Sequence, residues 1–430
     1  MQVFLIVWLG QVISLLGTAI TDVALRIWVT QTTGSVTQFA LVLVFMSLPG
    51  IVIAPFAGSL IDRWNRRWAL ILSDSIKAIT VFVMMILVTA DQMKLWHIYI
   101  AISVVSACMS IQWPAYFSAI SQLVQPRELT RANGMVQISK AFALIMGSLL
   151  AGFLVEAIQV QGVLLLDFIT YIIALITLFS VKFPEVVNTA PRKTVTAEQI
   201  WQETLSGWQY VVKQPGLLQL LILMAMTYLT NGIVQVGFMP LVLSFASSSS
   251  LGIVLALSAC GMLLGSIAVS TWGGLKNRIQ TIILFVLIQG VCLGFGGLQP
   301  ALWVITLGGF GYLFSQPVVV SNNQTIWQSK VPIDLQGRVF ALQTWTEKIS
   351  MIVAQLGIGL LIDYLFEPLM ATDGALAPIF GPVLGAGKGR GIALLIILVG
   401  LGNILVSLIA SQTPRLRRIE QEIPDAIVAH

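Results

Sequence analysis

Twelve runs of predominantly apolar residues, each long enough to cross a lipid bilayer, follow one another along this 430-residue chain. A crossing takes about 20 residues in a helix. Only a helix or a closed barrel satisfies every backbone N–H and C=O where no water is available. The runs fall at roughly 3–30, 36–61, 68–90, 95–124, 133–157, 162–182, 216–245, 250–273, 279–300, 301–329, 338–366 and 390–411. Charged residues make up 10% of the chain, against about 25% in a soluble domain. That density cannot cover a soluble globule of this size, so lipid must solvate most of the surface. The first run is too long for the apolar core of a signal peptide and has no basic residues ahead of it, so it reads as a membrane helix. The expectation is an all-α integral membrane protein of about twelve transmembrane helices.

Basic residues set the orientation, because Lys and Arg concentrate in cytoplasmic loops. With the N-terminus inside, Arg63, Arg66, Arg67, Arg127, Arg131, Lys182, Arg192, Lys193, Lys213, Lys276, Arg278, Lys330, Arg338, Arg415, Arg417 and Arg418 are all cytoplasmic. Only Lys94, Lys388 and Arg390 fall outside, and Arg26, Lys77, Lys140 and Lys348 fall within runs. The net charge of +5 is thus a topology signal and does not point to nucleic acid. Both termini are expected in the cytoplasm, with the protein in the plasma (inner) membrane. The division is a bundle at 1–182, a cytoplasmic linker at 183–214, a second bundle at 215–412 and a cytoplasmic tail at 413–430.

The two halves resemble each other. Gln122, Pro126, Leu129 and Gln137 recur as Gln328, Pro332, Leu335 and Gln343, all at one offset of 206 residues and at the same topological place. Asn65-Arg66 recurs as Asn277-Arg278. Duplication of a six-helix unit is the economical reading, and internal repeats are how many transporters build alternating access.

Between the second and third runs stands Gly58-Ser-Leu60-Ile-Asp62-Arg63-Trp-Asn-Arg66-Arg67. It resembles the signature loop of the major facilitator superfamily, G-x-L-x-D-R-x-x-R-[RK], in the position where that family carries it. The resemblance implies a secondary transporter of two pseudo-symmetric six-helix bundles. It also implies a cytoplasmic conformational latch at Gly58, Asp62, Arg63, Arg66 and Arg67, with Arg338 in the corresponding region of the second half. Positive-inside anchoring alone would need neither the glycine nor the aspartate. In the fifth run, Ala143-Leu-Ile-Met-Gly147-Ser148-Leu-Leu-Ala151-Gly152 is similar to a weakened antiporter signature, with serine in place of its proline and alanine in place of its first glycine; small residues for helix packing explain it equally well. Gly17-Thr18-Ala-Ile-Thr21-Asp22, Arg131-Ala-Asn133-Gly134, Asp167-Phe168 and Gly337-Arg338-Val-Phe340 resemble the macrolide-efflux and enterobactin-exporter branch. That implies export of a bulky, partly apolar molecule.

Ionisable groups inside a bilayer are costly and face partners or a cavity. Asp22 and Arg26, one turn apart on the first run, are read either as a self-neutralising pair or as a proton- or cation-binding acid with its electrostatic control, and Asp22 is expected to be the principal coupling carboxylate. Asp74, beside Lys77, is first of all a structural partner for Lys77, Lys140 or the arginine loop, and it stands with Lys140 and Glu347 as a further coupling candidate. Glu156 and Asp167 read as capping or pairing residues. Pocket candidates are Trp113, Tyr116 and Phe117 on the fourth run, Asn231 and Gln235 on the seventh, and Asn322 and Gln324 on the tenth. Few polar groups among aromatic residues suit amphipathic ligands; packing or lipid contact is the plainer explanation for each aromatic side chain.

The leading reading is proton-coupled export of a bulky amphipathic small molecule, such as a drug, macrolide or siderophore-like compound, by a monomer. The energy source would be the proton gradient, with no cofactor. Uptake by symport or uniport remains open, as does a non-transporting receptor or scaffold. A membrane enzyme would need a nucleophile or metal motif, and no HExxH, GxSxG or DxxH occurs. Cys108, Cys260 and Cys292 lie far apart in apolar runs and are expected as buried thiols. His97 and His430 have no companions that would make a metal site.

Overall fold

In a computed structural model of the protein, which describes residues 2–63, 66–125, 128–181, 208–272 and 277–424, the chain is helical, with no strand among the described residues. The long helices are α1 (Gln2–Thr33), α2 (Val36–Arg63), α3 (Arg66–Thr89), α4 (Leu95–Leu123), α5 (Leu129–Ser180), α6 (Pro215–Leu243), α7 (Ser248–Trp272), α8 (Arg278–Gly297), α9 (Leu302–Lys330), α10 (Ile333–Leu361) and α11 (Arg390–Gln412). Among the described residues, eleven stretches are long and apolar enough to cross a membrane. One of them, Gly134–Ser180, has 47 residues. At 1.5 Å per residue it would run about 70 Å, more than twice the hydrocarbon core. It breaks at Gln159, where φ is 58° and ψ is −178°, so α5 is two crossings joined at a kink, which makes twelve among the described residues.

Local chemistry explains several boundaries. Pro215 opens α6 in the first turn, where a missing N–H costs nothing. The Asn277 side chain caps α8 by accepting the N–H of Gln280 at 3.2 Å. Large apolar side chains such as Ile79 (62%) and Val353 (57%) are exposed along the helices. In water such a surface would aggregate; against lipid it is the ordinary exterior.

The chain clusters into two compact units. The first comprises Met1–Gly34, Leu41–Val195 and Ser248–Ala256; the second comprises Ser35–Ala40, Thr196–Ser247 and Leu257–His430. Within the first, α1 packs along α5, and α3 lies against α4 and α5. Within the second, α6 packs along α10 and α11, and α8 against α9 and α11. The pattern is the same in both, as a duplicated six-helix bundle requires. Close packing rests on small residues: a Cβ on Gly290 of α8 would come within 2.6 Å of the Gly400 carbonyl of α11.

At one end of the second unit the segment after α11 folds back in two short helices, Pro414–Arg417 and Ile419–Glu422. Leu416, Ile419 and Ile423 are buried in a core with Leu217, Ile279 and Trp327. The buried Lys330 ammonium donates to the carbonyls of Glu420 (2.8 Å) and Ile423 (2.6 Å). The three cysteines are free; Cys108 is buried as expected, while Cys260 and Cys292 are only half-buried, because their helices turn those faces partly outward.

Candidate functional site

The most polar interior among the described residues lies in the first unit, where α1, α3 and α4 meet. Asp74 of α3 is 0% exposed and Lys77, one turn further on, is 2% exposed. Their separation along the helix puts them on one face, and Lys77 Nζ lies 2.8 Å from Asp74 Oδ1. Two glutamines complete the group. Gln112 of α4 donates through Nε2 to Asp74 Oδ1 (2.9 Å), while its Oε1 accepts from Lys77 Nζ (2.6 Å). Gln11 of α1 donates to Asp74 Oδ2 at 2.9 Å, and its own Oε1 accepts from Gln112 Nε2 at 3.0 Å. Both carboxylate oxygens are therefore occupied, which is what makes a buried charge pair tolerable.

The network continues along α1. The Lys77 ammonium lies 4.8 Å from the centroid of the Tyr171 ring, and the Tyr171 hydroxyl is 2.8 Å from Thr18 Oγ1. Since Thr18 gives its one hydroxyl proton to the Ser14 carbonyl, Tyr171 is the donor to Thr18. Asp167, one turn before Tyr171 on α5, is buried; the Thr170 hydroxyl donates to its backbone carbonyl at 2.7 Å and lies 3.3 Å from its Oδ1.

A cavity adjoins this network, lined by Gln11, Thr18, Lys77, Gln112, Trp113 and Tyr116 together with Val136 and Ser139 of α5. The enclosed space is small, about 30 Å³, and opens at its mouth. The Trp113 ring stands 6.0 Å from Phe117 and 6.3 Å from Tyr116. Lys140 of α5 places its ammonium 3.9 Å from the Trp113 centroid and 5.2 Å from that of Phe117. It is a cation held by aromatic faces.

Other residues singled out from the sequence lie elsewhere. Asp22 and Arg26 form an ion pair within α1, with side chains 22% and 20% exposed, and Arg26 Nε also donates to the Asp22 carbonyl at 3.1 Å. In the second unit, Gln235 donates to Asn231 Oδ1 (3.4 Å) and accepts from Gln355 (3.3 Å). Asn322 turns back to the Val318 carbonyl of its own helix at 2.8 Å, and Gln324 is half-buried. Glu347 pairs with its neighbour Lys348 at 3.5 Å, both half exposed to exposed. Arg67 donates to the Leu178 and Phe179 carbonyls at the end of α5 (3.2 and 3.0 Å). α2 runs as helix through Gly58, Asp62 and Arg63, whose side chains lie outside the described residues. Arg338 lies in α10, half-buried. Among the described residues no three His, Cys, Asp or Glu side chains cluster as metal ligands.

Reading the sequence for charges and aromatic residues misses Gln11, Gln112, Thr18 and Tyr171. The signal available was a glutamine standing inside each of two apolar runs, since an amide in hydrocarbon needs a partner as a charge does.

The comparisons agree with this architecture. Residues 7–355 match the family model described as Major Facilitator Superfamily. A relative, macrolide efflux protein A of Streptococcus pyogenes, is 24% identical over 376 residues, spanning 86% of this chain and 90% of that protein. The lysophospholipid transporter LplT of Photorhabdus laumondii is 24% identical over 330 residues, 75% of this chain and 79% of that one. Among solved structures, a bacterial homolog of the human lysosomal transporter Spinster, inward-facing and unoccupied, superposes with a TM-score of 0.67 at 15% identity, covering 96% of both chains. A family match over most of the length, on a chain whose described residues hold eleven apolar stretches of membrane-crossing length, makes this a multi-pass membrane transporter that belongs to the Major Facilitator Superfamily.

Proposed function

We propose that this transporter exports a bulky amphipathic small molecule and that proton binding at Asp74 drives the cycle. The observation that carries this reading is the closed Gln11–Asp74–Lys77–Gln112 network bordering an aromatic cavity. Protonating Asp74 removes the charge that balances Lys77. The ammonium is then uncompensated in a dry interior, so helix positions or water must change with it, and a proton becomes coupled to conformation. The membrane potential adds about 2.3 kcal/mol per charge per 100 mV. Asp22, which pairs with Arg26 within α1, stands as the rival carboxylate for this role. Lys140 and Glu347 are secondary candidates, and Asn231, Gln235, Asn322 and Gln324 are proposed as polar substrate contacts. Gly58, Asp62, Arg63, Arg66, Arg67 and Arg338 are assigned to the cytoplasmic latch. The protein is read as a monomer in the plasma (inner) membrane.

Trp113, Tyr116 and Phe117 offer the apolar platform that a macrolide-like substrate needs, and a macrolide efflux protein is among the relatives. A second reading has its own support: the Lys140 ammonium beside Trp113 favours a substrate with an anionic group, and a lysophospholipid transporter is also a relative. Proteoliposomes with an imposed pH gradient, loaded separately with a labelled macrolide and a labelled lysophospholipid, separate the two. Asp74→Asn is expected to abolish gradient-driven accumulation while leaving downhill exchange. Asp22→Asn is expected to retain accumulation. If Asp74→Asn concentrates either substrate as well as the parent does, the coupling site is elsewhere.

A further inference from the structure

Within the second unit α10 and α11 both pack on α6, and the three helices form a groove. Its walls are the middle stretches of α6 (226–233) and α11 (399–406) and residues 353–361 of α10. The volume is about 450 Å³, within the range of small-molecule sites. Apart from Thr230 and Asn403 the lining is aliphatic or thioether, and Met226, Val353 and Leu405 are exposed (42%, 57% and 58%). Such a rim on membrane-spanning helices meets hydrocarbon.

Glycine makes the room. A Cβ on Gly232 of α6 would come within 2.8 Å of Ala354 Cβ and of the Met351 carbonyl, so α6 and α10 touch there. A Cβ on Gly357 of α10 or on Gly402 of α11 would meet nothing within 4 Å. At 1.5 Å of rise per residue the groove is about 10 Å long. An extended lipid chain, which spans one leaflet of about 15 Å, would overrun it, whereas a compact ring system fills it.

One polar group in the lining lacks a partner. Asn403 is 3% exposed, and its Oδ1 accepts from the Thr230 hydroxyl at 2.8 Å. Its Nδ2 has no acceptor among the described residues. A buried amide N–H costs free energy until it is paired, and hydrocarbon offers no water to pair it. We propose that this groove binds a compact, ring-bearing apolar molecule with a carbonyl oxygen, taken up from the bilayer, and that Asn403 Nδ2 donates to that oxygen. The site is built from second-unit residues alone and is independent of Asp74 and of proton coupling.

Benzophenone, two rings joined by a carbonyl, has this shape and inserts into neighbouring C–H bonds on irradiation. The full chain in lipid nanodiscs is irradiated with it, and the labelled residues are mapped by peptide mass spectrometry. Met46, Met226 and Met262 are almost equally exposed (41%, 42% and 42%), but of the three Met226 alone lines the groove. Met226 is expected to be labelled several-fold more than the other two. Gly402→Phe and Gly357→Phe, which fill the space from two sides, are each expected to bring it down to their level. Cyclododecanone is expected to suppress Met226 labelling at about one-fifth the membrane concentration that cyclododecane requires, the worth of one neutral hydrogen bond. Asn403→Leu is expected to erase that difference. Equal labelling of the three methionines in the parent would make the groove ordinary lipid-facing surface and overturn the proposal. Equal competition by the ketone and the hydrocarbon would overturn the assigned ligand chemistry. Both of these readings use the parent chain, so they decide the matter even where a variant fails to fold.

Discussion

Asp74 and Lys77 face each other where water is excluded, and the arithmetic of that position is unforgiving. Removing one partner of a buried ion pair leaves the other charge uncompensated, which costs about 3–5 kcal/mol. Lys77→Ala is therefore expected to lower the thermal unfolding temperature in detergent markedly. Lys77→Met combined with Asp74→Asn, which removes both charges and keeps the volume, is expected to recover most of that loss. A Lys77→Ala protein that melts with the parent would mean that solvent reaches the pair. The surface pair Glu347–Lys348 offers a contrast: neutralising Glu347 is expected to change stability by no more than about 1 kcal/mol.

At the scale of the helix, the kink in α5 is the unusual feature. Gln159 holds φ at 58° with an extended ψ, a region that is almost confined to glycine and costs a side-chain-bearing residue of order 1–3 kcal/mol. Its side chain is exposed, so little packing is lost on removing it. Gln159→Gly is expected to stabilise the fold by about 1 kcal/mol, measured as a rise in unfolding temperature with an unchanged helical circular dichroism spectrum. A fall instead would show that the Gln159 side chain fastens the turn between the two crossings. The sequence division at 157–162 already separated these two crossings; what it lacked was the single residue that carries the bend, because Gln159 has no turn-forming signature.

For the whole molecule, the distribution of basic residues predicts both termini and the 182–214 linker in the cytoplasm. A cysteine replacing Asp373, exposed in the loop before α11, is expected to react with an impermeant maleimide added outside intact cells, with the native cysteines removed. A cysteine in the linker is expected to react only after permeabilisation. The opposite pattern would invert the topology.

The number of crossings, the duplication and the family were legible in the sequence because they depend on properties that add up along the chain. Apolar run length, loop charge and a fixed repeat offset need no knowledge of what touches what. The site was not legible in this way. Asp74 was already weighed as a partner for Lys77, and Asp22 for Arg26, but only the packed helices show that Gln11 and Gln112 complete the Asp74 shell and that Lys140 rests on Trp113. Glu156 was expected to cap or pair, and the helix start that it receives, at Ser249, is seen only in the fold. Which polar groups meet inside a bundle is decided by helix rotation and crossing, and twelve uniformly apolar helices carry too weak a periodicity to set those rotations in advance.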